Sequence, residues 1–331
     1  MVTNNIQDHL FQQIREKLPP SASLADVISD LLHVSTDSAY RRIRGETPLV
    51  LEEAAVLCKQ FSLSLDTLLS LKGSAVTFIP TQLNNDHYTF EQYLKDILTS
   101  FQYIDSHQQK NIIYLTKDVP LFYHFMLRPL FAFRYFFWMK SILQHPDFIG
   151  LKFSMDYLPS HIERTGQEIL KLYNNIPTTE IWNTECVNSV IGQIAYYREA
   201  GYFHSEEDVE TIYDALRKTL EHLKTQAEYG CKFLPGENPL SKKNNYSLFY
   251  NRVVLGDNTI MVETDGKRTL YLIYDILNYM ATQDTKFCQE VYTKMQMLIK
   301  RGTIISNVSE KQRSVFFNIL LRKIPSRVLN T

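Results

Sequence analysis

Three serines, Ser23, Ser35 and Ser64, each stand directly before a short run of helix-forming residues, and Gly45 follows the second of these runs. A serine hydroxyl in that place satisfies a free N–H of the first turn, and a glycine just past the last turn takes the left-handed conformation that ends a helix. The spacing predicts a series of short helices over residues 5–70, not one long helix and not a sheet. The first, about Ile6 to Leu18, stops at Pro19-Pro20, because proline cannot continue a helix. The second follows Ser23, with Asp26 in a capping-box-like position, and buries Leu24, Val27, Ile28, Leu31 and Leu32. The third runs from Ser35 through Arg44, with Val34, Ala39 and Ile43 as its inward positions. Thr36, Asp37, Ser38, Arg41, Arg42 and Arg44 remain outside. Leu51 to Phe61 and Leu65 to Leu71 complete five.

A chain of 331 residues is longer than this module needs, and its length implies two domains or three. Lys72-Gly73-Ser74 is the candidate linker, dividing residues 1–72 from 75–331, with a candidate subdivision near residue 240. The composition, 44% hydrophobic with 11 Gly and 12 Pro, excludes a disordered or low-complexity chain. The net charge of −1 hides an uneven distribution. Residues 1–72 carry 7 Lys/Arg against 9 Asp/Glu, residues 73–240 carry 14 against 20, and residues 241–331 carry 14 against 7. Any claim of nucleic-acid binding therefore rests on a local patch. The basic last third either adds phosphate contacts or pairs with the acidic middle, and the opposite charges of adjacent segments favour the second. Cys58, Cys186, Cys231 and Cys288 have no metal or disulfide spacing. The N-terminus lacks a signal-peptide pattern, and charges interrupt the apolar stretch from Leu121 to Leu143. The expectation is a soluble, cytoplasmic protein.

Helix, short turn, helix and glycine, followed by an apolar helix, is the plan of a helix-turn-helix module, in which the second helix of the pair lies in the DNA major groove. Ser23 to Leu69 resembles the DNA-binding domain of the lambda repressor and Cro superfamily, the XRE type. The resemblance is carried by Val34-Ser35 at the turn, Gly45 after the third helix, and Phe61-Ser62-Leu63-Ser64-Leu65-Asp66 at the closing helix pair. It implies that Thr36, Asp37 and Tyr40 or Arg41 face base edges and Arg44 a phosphate, with Ser38 and Arg42 on the same candidate surface. Guanidinium suits this task, since it binds guanine O6 and N7 in a bidentate way. Ala25 departs from the glutamine common at the start of the family's second helix, and Asp37 is an unusual charge to turn toward DNA. The bland reading of Arg41-Arg42-x-Arg44 is a solvated helix face. The implied function is a sequence-specific transcriptional regulator acting on double-stranded DNA as a homodimer; the alternative is an interaction module whose helix-turn-helix no longer binds DNA.

Beyond the linker, apolar periodicity predicts helices at about 89–105, 121–143, 158–174, 185–200, 206–229, 284–300 and 309–323, with one strand at Ile112 to Leu115. Leu248 to Leu255, Thr259 to Thr264 and Thr269 to Ile273 read as strands, and Asp265-Gly266 as a hairpin turn. The expected fold class is mainly α: a five-helix module plus a larger helical domain with a small antiparallel sheet near residues 246–274. Residues 86–331 also resemble the long C-terminal region behind such modules in regulators from Bacteroides-type bacteria. That likeness lies in Lys117-Asp118-Val119-Pro120, Phe136-Phe137-Trp138, Thr179-Glu180-Ile181-Trp182, Leu255-Gly256-Asp257-Asn258-Thr259 and Val308-Ser309-Glu310-Lys311.

The segment LFYHFMLRPLFAFRYFFWMK is the densest aromatic block. It reads either as a core helix apolar nearly all round, or as one wall of a ligand pocket with His124, Arg128, Phe133, Arg134 and Trp138 for an unidentified small-molecule or peptide effector. Pro129 would mark a kink or a break. No HExxH, G-x-S-x-G, GxxxxGK[ST] or GxGxxG occurs, so no enzyme activity, metal or cofactor is expected.

Overall fold

A computed structural model describes residues 6–19, 22–68, 76–81, 88–253 and 256–325. It divides into two compact units, Met1–Thr77 and Phe78–Thr331. The first holds α1 (Ile6–Lys17), α2 (Leu24–Leu32), α3 (Thr36–Ile43), α4 (Leu51–Gln60) and α5 (Leu65–Leu68). Ser23 Oγ accepts from Asp26 N–H and Ser35 Oγ from Ser38 N–H, so both serines cap as their position requires. Gly45 follows α3 at φ 74°, a left-handed conformation that costs glycine nothing. Leu10, Phe11, Ile14, Ile28, Ala39 and Leu57 meet in one small core. The end of the fifth helix at Leu71 and the Lys72-Gly73-Ser74 linker lie outside the described residues.

The second unit comprises β1 (Ile79–Pro80), α6 (Phe90–Ser106), β2 (Lys110–Leu115), α7 (Arg128–Phe137), α8 (Ser160–Asn175), β3 (Thr178–Trp182), α9 (Asn188–Glu199) and α10 (Glu206–Tyr229). These are followed by β4 (Tyr246–Tyr250), β5 (Thr259–Thr264), β6 (Lys267–Ile273), β7 (Tyr279–Thr282), α11 (Thr285–Arg301), β8 (Thr303–Ile304) and α12 (Glu310–Lys323). The strands form one mixed sheet in the order β1-β7-β6-β5-β2-β3-β4-β8. The central β2, β3 and β4 run parallel, and the outer pairings are antiparallel. Alternate residues face opposite sides, as the two-residue period of a strand demands. Ile112, Trp182, Leu248 and Val262 join the large helical core, whereas Ile113, Ile181, Met261 and Leu270 pack with Cys288 and Met295 of α11.

This corrects the expected fold class. The sheet is large and mixed, running from residue 79 to 304, and is not a small antiparallel sheet near 246–274. The β5–β6 hairpin forms as expected: Asp265 and Gly266 both take positive φ, 45° and 81°, the geometry of a two-residue turn matched to strand twist. However, β4 does not lie beside β5. It pairs in parallel with β3, and β2 and β3 stand between β4 and β5. Parallel neighbours need long crossovers, here filled by helices, so the partners of β2 and β4 are far away in sequence. Residues 254 and 255, the end of the expected strand from Leu248, lie outside the described residues.

The aromatic block is corrected too. The apolar pattern predicts one continuous helix over 121–143; Leu121–Phe125 is instead a tight 3₁₀ turn, α7 is separate, and Trp138–Ile142 is a wide turn in which Leu143 N–H bonds Trp138 O at 2.8 Å. Of its two readings, Pro129 marks the break and not a kink. It stands in the first turn of α7, where its missing N–H removes no helical hydrogen bond.

Beneath the sheet, Glu180 of β3 is fully buried and accepts from Tyr123 Oη (2.8 Å), Trp182 Nε1 (2.8 Å), Tyr246 Oη (2.9 Å) and Tyr173 Oη. A buried carboxylate persists only when its acceptor sites are filled in this way. Lys232, also buried, donates to Thr178 Oγ1 at 2.5 Å and to Tyr173 O. Burial pushes its ammonium down to about 7, against the pull of Glu180. Among the described residues no helix is long and apolar enough to cross a membrane.

Candidate nucleic-acid interface and an inner cavity

Ala39 has no exposed surface and anchors α3 against the first unit's core, which fixes the helix's rotation. Thr36, Asp37, Tyr40, Arg41 and Arg44 consequently face solvent, and Ser38 is half-buried. The Arg41 and Arg44 side chains are 59% and 58% exposed, and each holds a local carboxylate at 3.2 Å, Asp37 for Arg41 and Glu46 for Arg44. Exposed pairs of this kind contribute only ~0–1 kcal/mol and are screened by salt, so either guanidinium is free to exchange its carboxylate for another anion.

Arg42 is placed differently. Its Nε and Nη2 donate to Glu53 Oε2 and Oε1 at 3.0 and 2.7 Å, and its Nη1 to Ser38 O at 3.2 Å. Side-on, bidentate binding to Glu53 ties α3 to α4 and takes Arg42 out of the candidate surface. The hydrogen bonds from Arg42 hold the Glu53 carboxyl below its ordinary value and raise the Arg42 guanidinium. The sequence counted three outward arginines because a helix face shows direction and not partners. The surface has two, with Thr36, Asp37 and Tyr40 beside them. Gln7 of α1 was missed altogether. Its Nε2 donates to Arg42 O and Thr47 O at 2.6 and 2.8 Å, and its Oε1 accepts from Leu49 N–H at 2.9 Å, clamping the loop after α3. Nothing in a solitary glutamine near a terminus signals that role.

The second unit contains a cavity of about 360 Å³. Tyr93, Phe101, Phe122, Val262 and Tyr271 give it an apolar body, and Asp118, His124, Arg134, Ser189 and Gln193 line a polar part. Of the five pocket residues expected from sequence, the structure brings His124 and Arg134 to this wall. It does not bring the other three. Arg128 is on the surface, paired with Glu163 and with Met155 O. Phe133 is fully buried among Phe153, Tyr197 and Phe203, and Trp138 is fully buried beneath the Arg134 guanidinium, 5.0 Å from its ring. The physical reason is the break at residues 126–128. It separates His124 from α7, so the block has no single face to present.

His124 is 3% exposed, and its ring makes no well-formed hydrogen bond, its polar contact being with the Leu121 backbone. Burial, then the neighbouring Arg134 charge, hold its imidazole far below the ordinary value, so it is neutral. Arg134 is 7% exposed; it donates to the amide oxygen of Gln193, and its Nε has no partner. Burial lowers it to about 10, and Asp118 opposes that shift through space. Asp118 is itself raised by burial, partly offset by Arg134 and Lys117. At the edge, Lys117 pairs with Asp257 at 2.6 Å and its N–H donates to Asn258 Oδ1 at 2.8 Å. Sequence reading missed Asp118, in the loop after β2, and Ser189 and Gln193, one turn apart on α9, all polar residues of ordinary spacing away from the aromatic block. No group of three or more metal-ligating side chains occurs among the described residues.

Residues 2–89 match the family model of the BetR domain. This is a helix-turn-helix type of DNA-binding domain. The BetR match includes α1 to α5, so the buried Ala39 and exposed α3 surface belong to it, and it suggests a DNA-binding regulatory domain. Comparison of the chain with curated proteins and with solved structures gives no match.

Proposed function

We propose that the BetR-matching segment binds duplex DNA sequence-specifically, with α3 in the major groove, and that the chain is a transcriptional regulator of the lambda repressor-like, XRE-resembling kind. The observation that carries this reading is the split on α3: Ala39 is wholly buried while Thr36, Tyr40, Arg41 and Arg44 are exposed together. Arg41 is the residue for a guanine edge and Arg44 for a phosphate, with Thr36 and Asp37 beside them at the start of the helix. Two copies reading two half-sites would give the affinity that one small module lacks, so the working form is a homodimer with its contact in residues 75–331. Light scattering on the full chain and on residues 75–331 tests that contact; a monomeric fragment beside a dimeric full chain moves the interface to the N-terminal unit.

The central test is binding to a sequence selected from a random duplex library. Arg41→Ala should cost about 1–3 kcal/mol and relax specificity, whereas Arg44→Ala should weaken all sequences alike and flatten the salt dependence. Unchanged affinity in the double variant sinks the assignment. The second reading, an interaction module without DNA, is favoured by the 7 basic against 9 acidic residues in 1–72. Absence of salt-dependent binding to any duplex would select it.

A further inference from the structure

We propose that the cavity of the second unit is a binding site for a small, largely apolar carboxylate, with its head group held by Arg134 and His124 and its body among Tyr93, Phe101 and Tyr271. The site is assigned by two unfulfilled side chains. Arg134 and His124 are both more than nine-tenths buried, and both line the cavity. Arg134 Nε lacks a hydrogen-bond partner, and the His124 ring meets only the Leu121 backbone, without a well-formed hydrogen bond. Buried polar atoms are almost always satisfied, because each orphan costs about 1–3 kcal/mol. Orphans gathered on one cavity wall therefore mark where an external group completes the set.

The chemistry of that group follows from what is already present. The protein gives the Arg134 guanidinium a neutral amide, Gln193 Oε1, as its hydrogen-bond partner and the Asp118 charge only through space, so no anion is bonded to this buried cation. Gln193 is held in turn, since its Nε2 donates to Ser189 Oγ at 3.2 Å. A carboxylate is the planar acceptor that matches a guanidinium fork, and a neutral imidazole supplies one further N–H. A phosphate dianion would need more cations than this wall offers, as Lys117 is engaged with Asp257. The remaining wall is mostly aromatic and aliphatic, with Ser100, Asp257, Asn258 and Asp275 as its other polar residues, and the volume lies in the lower part of the ~300–1,000 Å³ range of small-molecule sites. That fits an aryl-alkanoate or a medium-chain fatty acid. Asp118 works against the bound carboxylate, so it tunes the site toward weak, reversible occupancy.

The experiment is calorimetric titration of the full chain with 3-phenylpropionate and with octanoate, each compared with its neutral amide. No DNA is present, so failure here leaves the DNA-binding reading untouched. At least one carboxylate should bind ten times or more tightly than its amide. Gln193→Glu should fold with an unchanged or higher melting temperature and lose that binding tenfold or more, because it supplies Arg134 with a resident anion. Asp118→Asn should bind severalfold more tightly, and Arg134→Gln should abolish the preference for carboxylate over amide. Undetectable binding of both carboxylates at millimolar concentration, equal binding of the amides, or undiminished binding by Gln193→Glu each overturns the proposal. Weaker binding by Asp118→Asn overturns the ligand class, since Asp118 would then be holding a ligand cation.

Discussion

Arg41 and Arg44 in the first unit and Arg134 in the second carry the same guanidinium into opposite surroundings. The α3 arginines stand in water beside carboxylates on their own or the next turn, where charge costs little and partners exchange. Arg134 lies within the core, lowered to about 10 by burial, with an amide for a partner and one donor unsatisfied. The difference teaches where each unit is able to receive a ligand. An exposed cation meets a polyanion by counterion exchange, and a buried one meets a single small anion by completing a hydrogen-bond set. Arg42 lies between these cases, partly buried and already given its carboxylate by Glu53.

That contrast between buried and exposed charge is open to direct challenge. The largest effect should come from Glu180→Ala. It leaves Tyr123, Tyr173, Tyr246 and Trp182 without their acceptor, and urea unfolding of the full chain should show a loss of at least about 3 kcal/mol, or no folded protein. A loss below about 1 kcal/mol would mean that water reaches the site. Phe133→Ala should cost about 3–5 kcal/mol, because its fully buried ring leaves a void among Phe153, Tyr197 and Phe203. If Phe133 lined the cavity, the loss would be far smaller.

Lys232 adds a dependence on pH. Its folded value is depressed to about 7 from 10.5, so between these values the unfolded chain holds a proton that the folded chain does not. Stability should therefore rise as pH climbs from about 7 toward 10.5, by on the order of a few kcal/mol in total. Lys232→Met should flatten that rise in denaturation curves taken across the window. A smaller effect belongs to Arg42→Ala, about 1–2 kcal/mol, read by faster exchange of the Ala39 amide, whose N–H closes on Ser35 O. Glu53 shares it. Its lowered value gives stability above the ordinary glutamate range that is lost as pH falls through the folded value, and Arg42→Ala should narrow that window. The smallest effect is that of Arg41→Ala on folding, within about 0.5 kcal/mol, despite its proposed effect on DNA. A loss as large as that of Arg42→Ala would show that Arg41 is structural.

The two units also differ in how much their residues announced. Ser23, Ser35 and Gly45 act within one or two turns of themselves, and Asp265-Gly266 acts on its own two strands, so each was readable where it stood. Thr178 to Trp182 was not. It is a five-residue strand, mostly buried, whose parallel partners β2 and β4 lie more than sixty residues away in either direction, and short buried runs carry no alternation to read. The cavity was half legible. His124 and Arg134 stood out as polar groups inside an aromatic block, but their neighbours Asp118 and Gln193 come from other elements.

By itself, then, the sequence determined the short capped helices, the outward face of α3, the hairpin at Asp265-Gly266 and the apolar mass of residues 121–143, because each depends on contacts within a few residues. The tertiary structure decided the rest. It set the mixed sheet's strand order, gave Arg42 to Glu53, buried Glu180 under four donors, and left Arg134 with a neutral amide beside a largely apolar cavity. These are pairings between distant segments, and a polar residue's meaning depends on the partner and the solvent it is left with, which no local pattern records.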